Sequence, residues 1–150
     1  MRAVIQRVKR AKVIVNNALI SEIDAGLLIF IGVEDSDSLD DLEWLTAKIS
    51  LLRIFGDENG AMNKSLIDIQ GNILVVSQFT LYASTKKGNR PSFKKFGDPI
   101  YAEGMYYKFI AVLNELIHKK VQQGEFGKNM QVELINDGPV TIILDTKNKE

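Results

Sequence analysis

The sequence contains no cysteine, a single histidine and only three prolines. Without thiols there is no disulfide and no thiolate metal site, and a reducing compartment is the fitting one. One imidazole, His118, argues against a zinc centre, which draws on several nitrogen or sulfur ligands. It also leaves a Ser-His-Asp triad only one place to find its base. His118 stands beside Lys119 and Lys120 near the end of an amphipathic segment, where the helix dipole favours a cation, and it reads as a solvated residue. Long hydrophobic runs are missing as well. GLLIFIGV (26–33) and ILVV (73–76) fall far short of the ~20 residues that span a bilayer. The opening MRAVIQRVKR is charged and alternating, without the apolar core of a signal peptide. A soluble cytoplasmic protein with no membrane partner is the expectation.

Net charge is absent too, with 19 basic and 19 acidic residues, which counts against a general nucleic-acid binder. The balance is local in origin, however. EDSDSLDDLE (34–43) carries six acids and no base, whereas KKGNRPSFKK (86–95) carries five bases and no acid. A neutral chain with separated patches still presents a positive field to phosphate.

What is present points to one domain over residues 1–150, long enough to bury roughly 70 % of its unfolded surface without staples. Residues 2–8 and 12–15 read as strands broken from Lys9 to Ala11, with Asn16-Asn17 as a hairpin turn before ALISEI. GLLIFIGV reads as a strand buried on both faces. A helix is expected from a cap at Ser36 or Ser38 to about Leu52, with Leu42, Leu45, Ile49 and Leu52 on one stripe. SLIDI (65–69) and NILVVSQFTLYA (72–83) suggest a hairpin about Gly71-Asn72. Asp98-Pro99 starts a second helix running to about Gln122, burying Met105, Phe109, Val112, Leu113, Leu116 and Ile117. MQVELIN and VTIILD close the chain as two strands around Gly138-Pro139. The fold class is α/β of the α+β kind: one compact domain, mostly antiparallel, with two main helices.

Three segments carry candidate chemistry. In SQFTLYA (77–83), Ser77, Gln78 and Thr80 end a strongly apolar strand, where polar groups are costly unless hydrogen-bonded. The 86–95 loop interleaves Lys86, Lys87 and Arg90 with Phe93 and Phe96, a pattern suited to phosphate contact and stacking. Gly138-Pro139 is compatible with a plain β-turn, glycine supplying an unusual φ and proline fixing the next residue. The acidic run reads as helix capping and a solvated face rather than a metal site.

SQFTL (77–81), GNRPSF (88–93) and NDGPVT (136–141) resemble the signatures of the bacterial D-aminoacyl-tRNA deacylases. MRAVIQRV at the start, LRIF at 52–55 and MNKSL at 62–66 match as well, in order along essentially the whole chain. The one departure is VNNAL (15–19), where relatives often carry an Asp-Gly turn. The resemblance implies a β-barrel-like α/β fold and a cytosolic homodimer that needs no metal or organic cofactor. It implies hydrolysis of the ester joining a D-amino acid to the terminal adenosine of tRNA. Ser77, Gln78, Phe79 and Thr80 would line the catalytic pocket. Gly138 and Pro139, in cis, would reach into the partner subunit's site as a chiral filter, with Asn136 and Thr141 beside them in the substrate-binding set. Glycyl-tRNA mischarged on tRNA-Ala would also pass such a filter. Two other readings stand beside this one: a non-catalytic RNA-binding module built on Lys86, Lys87 and Arg90, and a related deacylase that edits mischarged L- or achiral aminoacyl-tRNA.

Overall fold

The computed structural model describes residues 1–149. Strand β1 runs unbroken from Arg2 to Val15, so the two pieces expected from the sequence are one strand. The irregularity at Lys9 is a bulge: Val8 pairs with Asn136 and Arg10 with Ile135, two steps against one. That extra residue switches the face that β1 buries. Ala3 and Ile5 enter one core cluster, and Val8, Ala11, Val13 and Val15 enter the other. Asn16 and Asn17 both adopt positive φ, 49° and 63°, and turn the chain into β2 (Ala18–Ile23) as a tight hairpin requires.

β3 (Gly26–Gly32) pairs antiparallel with the first half of β1 and is buried along almost its whole length. Leu27, Ile29 and Ile31 pack toward the helices while Leu28 packs inside the curled sheet, which is why the run is apolar without alternation. Helix α1 (Leu39–Leu51) is capped by Ser38, whose side chain and that of Asp41 bond each other's backbone in a capping box. A short hairpin of β4 (Phe55–Gly56) and β5 (Met62–Lys64) follows.

Residues 65–69 form no strand, and the expected hairpin about Gly71-Asn72 is absent. β6 (Asn72–Ser77) instead lies parallel to β3, because α1 carries the chain across one face before it re-enters the sheet. Helix α2 (Pro99–Ile117) makes the next crossover, and β7 (Gln122–Gln123) adds parallel to β6. Asp98 caps α2 by accepting from the Ile100 and Tyr101 amides. The helix stops at His118, earlier than Gln122, because His118 turns left-handed with φ 50°. Its buried residues are Ala102, Met105, Tyr106, Phe109, Ile110 and Leu113, so Leu116 lies outside the expected stripe, at 36 % exposure.

The last strand, β8 (Gln131–Asp145), is a single element where two were expected, and it pairs with β1 along nearly its whole length. The pairing antiparallel to β1 and parallel about β6 makes the sheet mixed. Its two ends approach where the Ser21 hydroxyl donates to the Gln123 carbonyl at 2.8 Å, nearly closing a barrel with both helices on one face. No helix among the described residues is long and apolar enough to cross a membrane.

The start of α1 is tied to the end of β8. Lys147 reaches Asp41 at 2.7 Å, and the Met1 ammonium pairs with the buried Asp37 carboxylate and with Thr146. Burial raises the Asp41 carboxyl, but the hydrogen bonds it accepts from Lys147, the Ser38 backbone, Thr146 and the Ser38 hydroxyl outweigh that and hold its pKa well below the usual carboxylate range. A depressed folded-state pKa adds stability that is present above the ordinary value of about 4 and is lost as pH falls through the folded one. Asp41→Asn should therefore lower stability by about 1–2 kcal/mol at neutral pH. The gap to the parent should narrow as pH drops below about 4, followed by urea midpoints. A gap that does not change with pH would sink this account.

Candidate active site

The catalytic candidates lie where β6 leaves the sheet. The Ile31–Ser77 pair and the Gln78 amide, which donates to the Ile31 carbonyl at 2.8 Å, are the last rungs of the ladder. β3 ends one residue later, so the chain turns into a 3-10 helix over Phe79–Tyr82. The alternation seen in SQFTLYA is therefore not an edge strand beyond Ser77. Gly32 makes the sharp turn possible: a Cβ there would stand 3.1 Å from the Tyr82 ring and 3.2 Å from the Gln78 carbonyl. The first amides of such a turn, those of Phe79 and Thr80, have no partner within it.

A cavity of 370 Å³ opens at this point. Val76, Ser77, Gln78 and Phe79 form one wall, residues 126–130 the other, with Phe96 and Pro99 at the rim. Thr80 is not on the wall. Its hydroxyl accepts a hydrogen bond from Gln78 Nε2, so it acts on the cavity through the Gln78 side chain. His118, exposed at the C-terminal cap of α2, does not border the cavity.

The opposite wall was not singled out from the sequence. Phe126, Gly127, Lys128 and Met130 come from GEFGKNM, whose only visible signal is an aromatic residue between glycines in a turn. The wall is placed by the Gly124 amide, which donates to the Val75 carbonyl at 2.9 Å, and by the buried Tyr106 hydroxyl, which donates to the same carbonyl at 3.0 Å. Burial pushes that phenol up, so it remains a donor.

The basic loop meets the cavity through its aromatics. Phe79 packs against Phe93 at 5.1 Å and Phe96 at 5.2 Å between ring centroids. The Ser84–Ser92 bridge, 2.9 Å in both directions, closes the loop on itself. Lys86, Lys87 and Arg90 are exposed on it, and none of the three borders the cavity.

Gly138 and Pro139 lie elsewhere on the chain. They are not a turn between two strands but part of a bulge within β8: Gln6 pairs with Thr141 and Val8 with Asn136, leaving residues 137–140 opposite Arg7 alone. Arg7, which the sequence did not mark, holds this bulge. Its Nε donates to the Asp137 carbonyl at 3.0 Å, and its Nη1 donates to the Ile54 carbonyl. The Gly138-Pro139 peptide is cis, and both residues are exposed. Thr141 is exposed beside them, and Asn136 is partly buried with its Oδ1 unpartnered among the described residues. The bulge borders a shallow depression with Phe55, Gly56 and Met62, separate from the 77–79 cavity. Within one subunit the two groups of candidate residues are not brought together.

Comparison with known proteins places these features in a family. The family model described as D-Tyr-tRNA(Tyr) deacylase matches residues 4–145. A protein of Flavobacterium johnsoniae named D-aminoacyl-tRNA deacylase is 53% identical over 150 residues, 100% of both chains. One of Bacteroides fragilis strain YCH46, with the same name, is 55% identical over the same span. A solved structure described as a c-Myc DNA unwinding element binding protein superposes with a TM-score of 0.91 at 42% identity, covering 97% of this chain and 98% of that one. Another, described as a probable eukaryotic D-amino acid tRNA deacylase, gives 0.82 at 18% identity over 95% and 97%, a likeness of fold.

Gly138 has a φ of +128°, and a Cβ there would stand 2.6 Å from Arg7 Nη2 and 3.2 Å from the Val140 amide nitrogen. Gly138→Ala should therefore displace Arg7 and strain the bulge, lowering stability by about 1–3 kcal/mol. Thermal unfolding checks this, and an unchanged midpoint would show that the bulge tolerates a side chain.

Proposed function

The chain belongs to the D-Tyr-tRNA(Tyr) deacylase family, and from that premise we propose that it hydrolyses the ester joining a D-amino acid to the terminal adenosine of tRNA, releasing both. The full-length match to proteins named D-aminoacyl-tRNA deacylase carries this reading. The cavity at Ser77–Phe79 supplies a place for the chemistry.

Ester hydrolysis builds negative charge on the carbonyl oxygen. The Phe79 and Thr80 amides at the start of the 3-10 turn are suited to receive it, and one preorganised donor is worth roughly 3–4 kcal/mol. Thr80 is engaged by Gln78 and stands off the cavity wall, and no imidazole lines that wall, which favours a positioning role over attack. Water attacks directly, helped by the 2′-OH of the substrate's own adenosine. Ser77 and Gln78 line the path, and Phe79, backed by Phe93 and Phe96, offers a face on which the adenine stacks. Lys86, Lys87 and Arg90 steer the polyanion.

Gly138 and Pro139 act as the chiral filter by presenting backbone where an L side chain would project. Because they are exposed and do not border the cavity of their own subunit, this role needs a second copy of the chain. The free outer edge of β8 supports a homodimer: among the described residues β8 pairs only with β1, and Ile135 and Ile143 are 42% and 68% exposed along it. A filter made of backbone leaves glycine, which has no side chain, unexcluded. The cellular role is then chiral quality control of translation in the cytoplasm.

A second reading, a nucleic-acid-binding module without catalysis, draws on the 42% identical structure described as a DNA-element binding protein and on the basic loop. A third, an editing enzyme for L-aminoacyl-tRNA, shares the same cavity. One assay separates all three. Incubated with a chelator, D-Tyr-tRNA and Gly-tRNA should lose their esters while L-Tyr-tRNA keeps its own. Binding without ester loss would leave the module, and loss of the L ester would remove the filter. The dimer has its own check, made simple by the absence of native cysteine. Mixing chains carrying Phe79→Cys with chains carrying Asp137→Cys and adding a short thiol cross-linker should give a covalent pair, and monomers alone would overturn the shared site.

A further inference from the structure

The chain has four methionines and no cysteine, so a peroxide meets thioethers in it and no thiol that would react first. The four are placed very differently. Met1 is 0% exposed and Met105 5%, both inside the core cluster that packs against the helices. Met62 is 57% exposed on β5, beside the Gly138-Pro139 bulge. Met130 stands on the wall of the 370 Å³ cavity, opposite Ser77, Gln78 and Phe79, and is partly buried against the barrel interior.

The surroundings of its sulfur are lopsided. Gly124 backs it so closely that a Cβ there would stand 2.5 Å from Met130 Sδ. That backbone does not give way easily. The Gly124 amide donates to the Val75 carbonyl at 2.9 Å, and the Gly124 carbonyl accepts from the buried Tyr106 hydroxyl at 3.4 Å. An atom added to the sulfur therefore has no room on the Gly124 side, and the open space beside this side chain is the cavity. The unbranched thioether, with three rotatable bonds, can turn its free side to that opening.

We propose that Met130 is an oxidation site that shuts the cavity: hydrogen peroxide converts its thioether to the sulfoxide, and the new oxygen occupies space that the terminal adenosine needs. The sulfur lone pair takes one oxygen from the peroxide and the O–O bond breaks. The displaced hydroxide picks up the proton of the transferred oxygen and leaves as water. Sulfur is oxidised by two electrons and the peroxide is reduced by two. A soft apolar wall becomes polar, and a base entering the cavity must then desolvate the sulfoxide. A methionine sulfoxide reductase, drawing on two thiols, removes the oxygen as water and reopens the site. The effect on activity rests on the deacylase reading of the same cavity.

The test treats the protein with graded hydrogen peroxide, reads peptide masses after digestion, and follows hydrolysis of D-Tyr-tRNA in parallel. Met62 and Met130 should each gain one oxygen while Met1 and Met105 do not. Adenosine 5′-monophosphate should slow the oxidation of Met130 and leave that of Met62 unchanged. kcat/KM should fall roughly tenfold as Met130 oxidises, the worth of one lost base-stacking contact. Met62→Leu should lose activity along the same curve, whereas Met130→Leu should keep whatever activity it starts with. A methionine sulfoxide reductase with dithiothreitol should restore the parent. The oxidation site is overturned if Met130 stays unmodified until the thermal midpoint collapses, if its full oxidation leaves kcat/KM unchanged, or if Met62→Leu removes the sensitivity. If the untreated protein cleaves no D-Tyr-tRNA, the deacylase reading falls. Protection by adenosine 5′-monophosphate then still decides whether Met130 oxidation and a nucleotide compete for the cavity.

Discussion

Strand β1 offers hydrogen bonds along both edges, and nearly everything else hangs from that. One edge receives β3 and then β2 in tandem, and the other receives β8 from Arg2 to Ile14. A strand with two neighbours along most of its length must place each register irregularity somewhere harmless or useful. β1 has a bulge at Lys9 that moves its buried face from the helix-side cluster to the barrel interior. β8 has one at 137–140, opposite Arg7, that pushes backbone out of the sheet. The first makes the sheet curl, and the second builds Gly138 and Pro139 into a rigid projection anchored by a guanidinium.

The two crossover helices place the other site. Because α1 and α2 cover the same face, β3, β6 and β7 run parallel, and the ends of β3 and β6 coincide at Gly32 and Ser77. Amides that leave a parallel sheet at its carboxyl end have no further strand to bond. That is where ligands meet backbone donors in many α/β folds. Tyr106 and Gly124 then bring the 126–130 wall against this opening from a distant part of the chain.

Charge segregation in the sequence resolves differently for its two signs. The acidic run is not simply a solvated face: Asp37 meets the Met1 ammonium, Asp41 meets Lys147 and caps α1, and Asp35 accepts from the Asp98 amide at 2.7 Å. These carboxylates tie the start of one helix to the end of the last strand and to the cap of the other helix. Among the described residues the basic run has no such duties. Lys86, Lys87, Arg90 and Lys95 remain exposed on a loop held by Phe93 and Phe96, free to meet a polyanion.

Local signals in the sequence determined the elements whose causes are local. The caps at Ser38 and Asp98, the Asn16-Asn17 hairpin and the doubly buried GLLIFIGV strand follow from side-chain chemistry within a few residues. The motifs at 77–81, 88–93 and 136–141 likewise marked the family. Tertiary structure alone decided the rest. Whether β6 pairs parallel or antiparallel depends on where α1 lands, so the expected hairpin at Gly71-Asn72 had no local contradiction to warn against it. A turn and a bulge at Gly138-Pro139 use the same residues, and only the partner strand distinguishes them, by pairing on both sides of it. Arg7 and the 126–130 wall gain their places from neighbours 40 to 130 positions away in the chain. No periodicity in a sequence encodes a contact of that range, because it is set by packing and not by any preference of the residue itself.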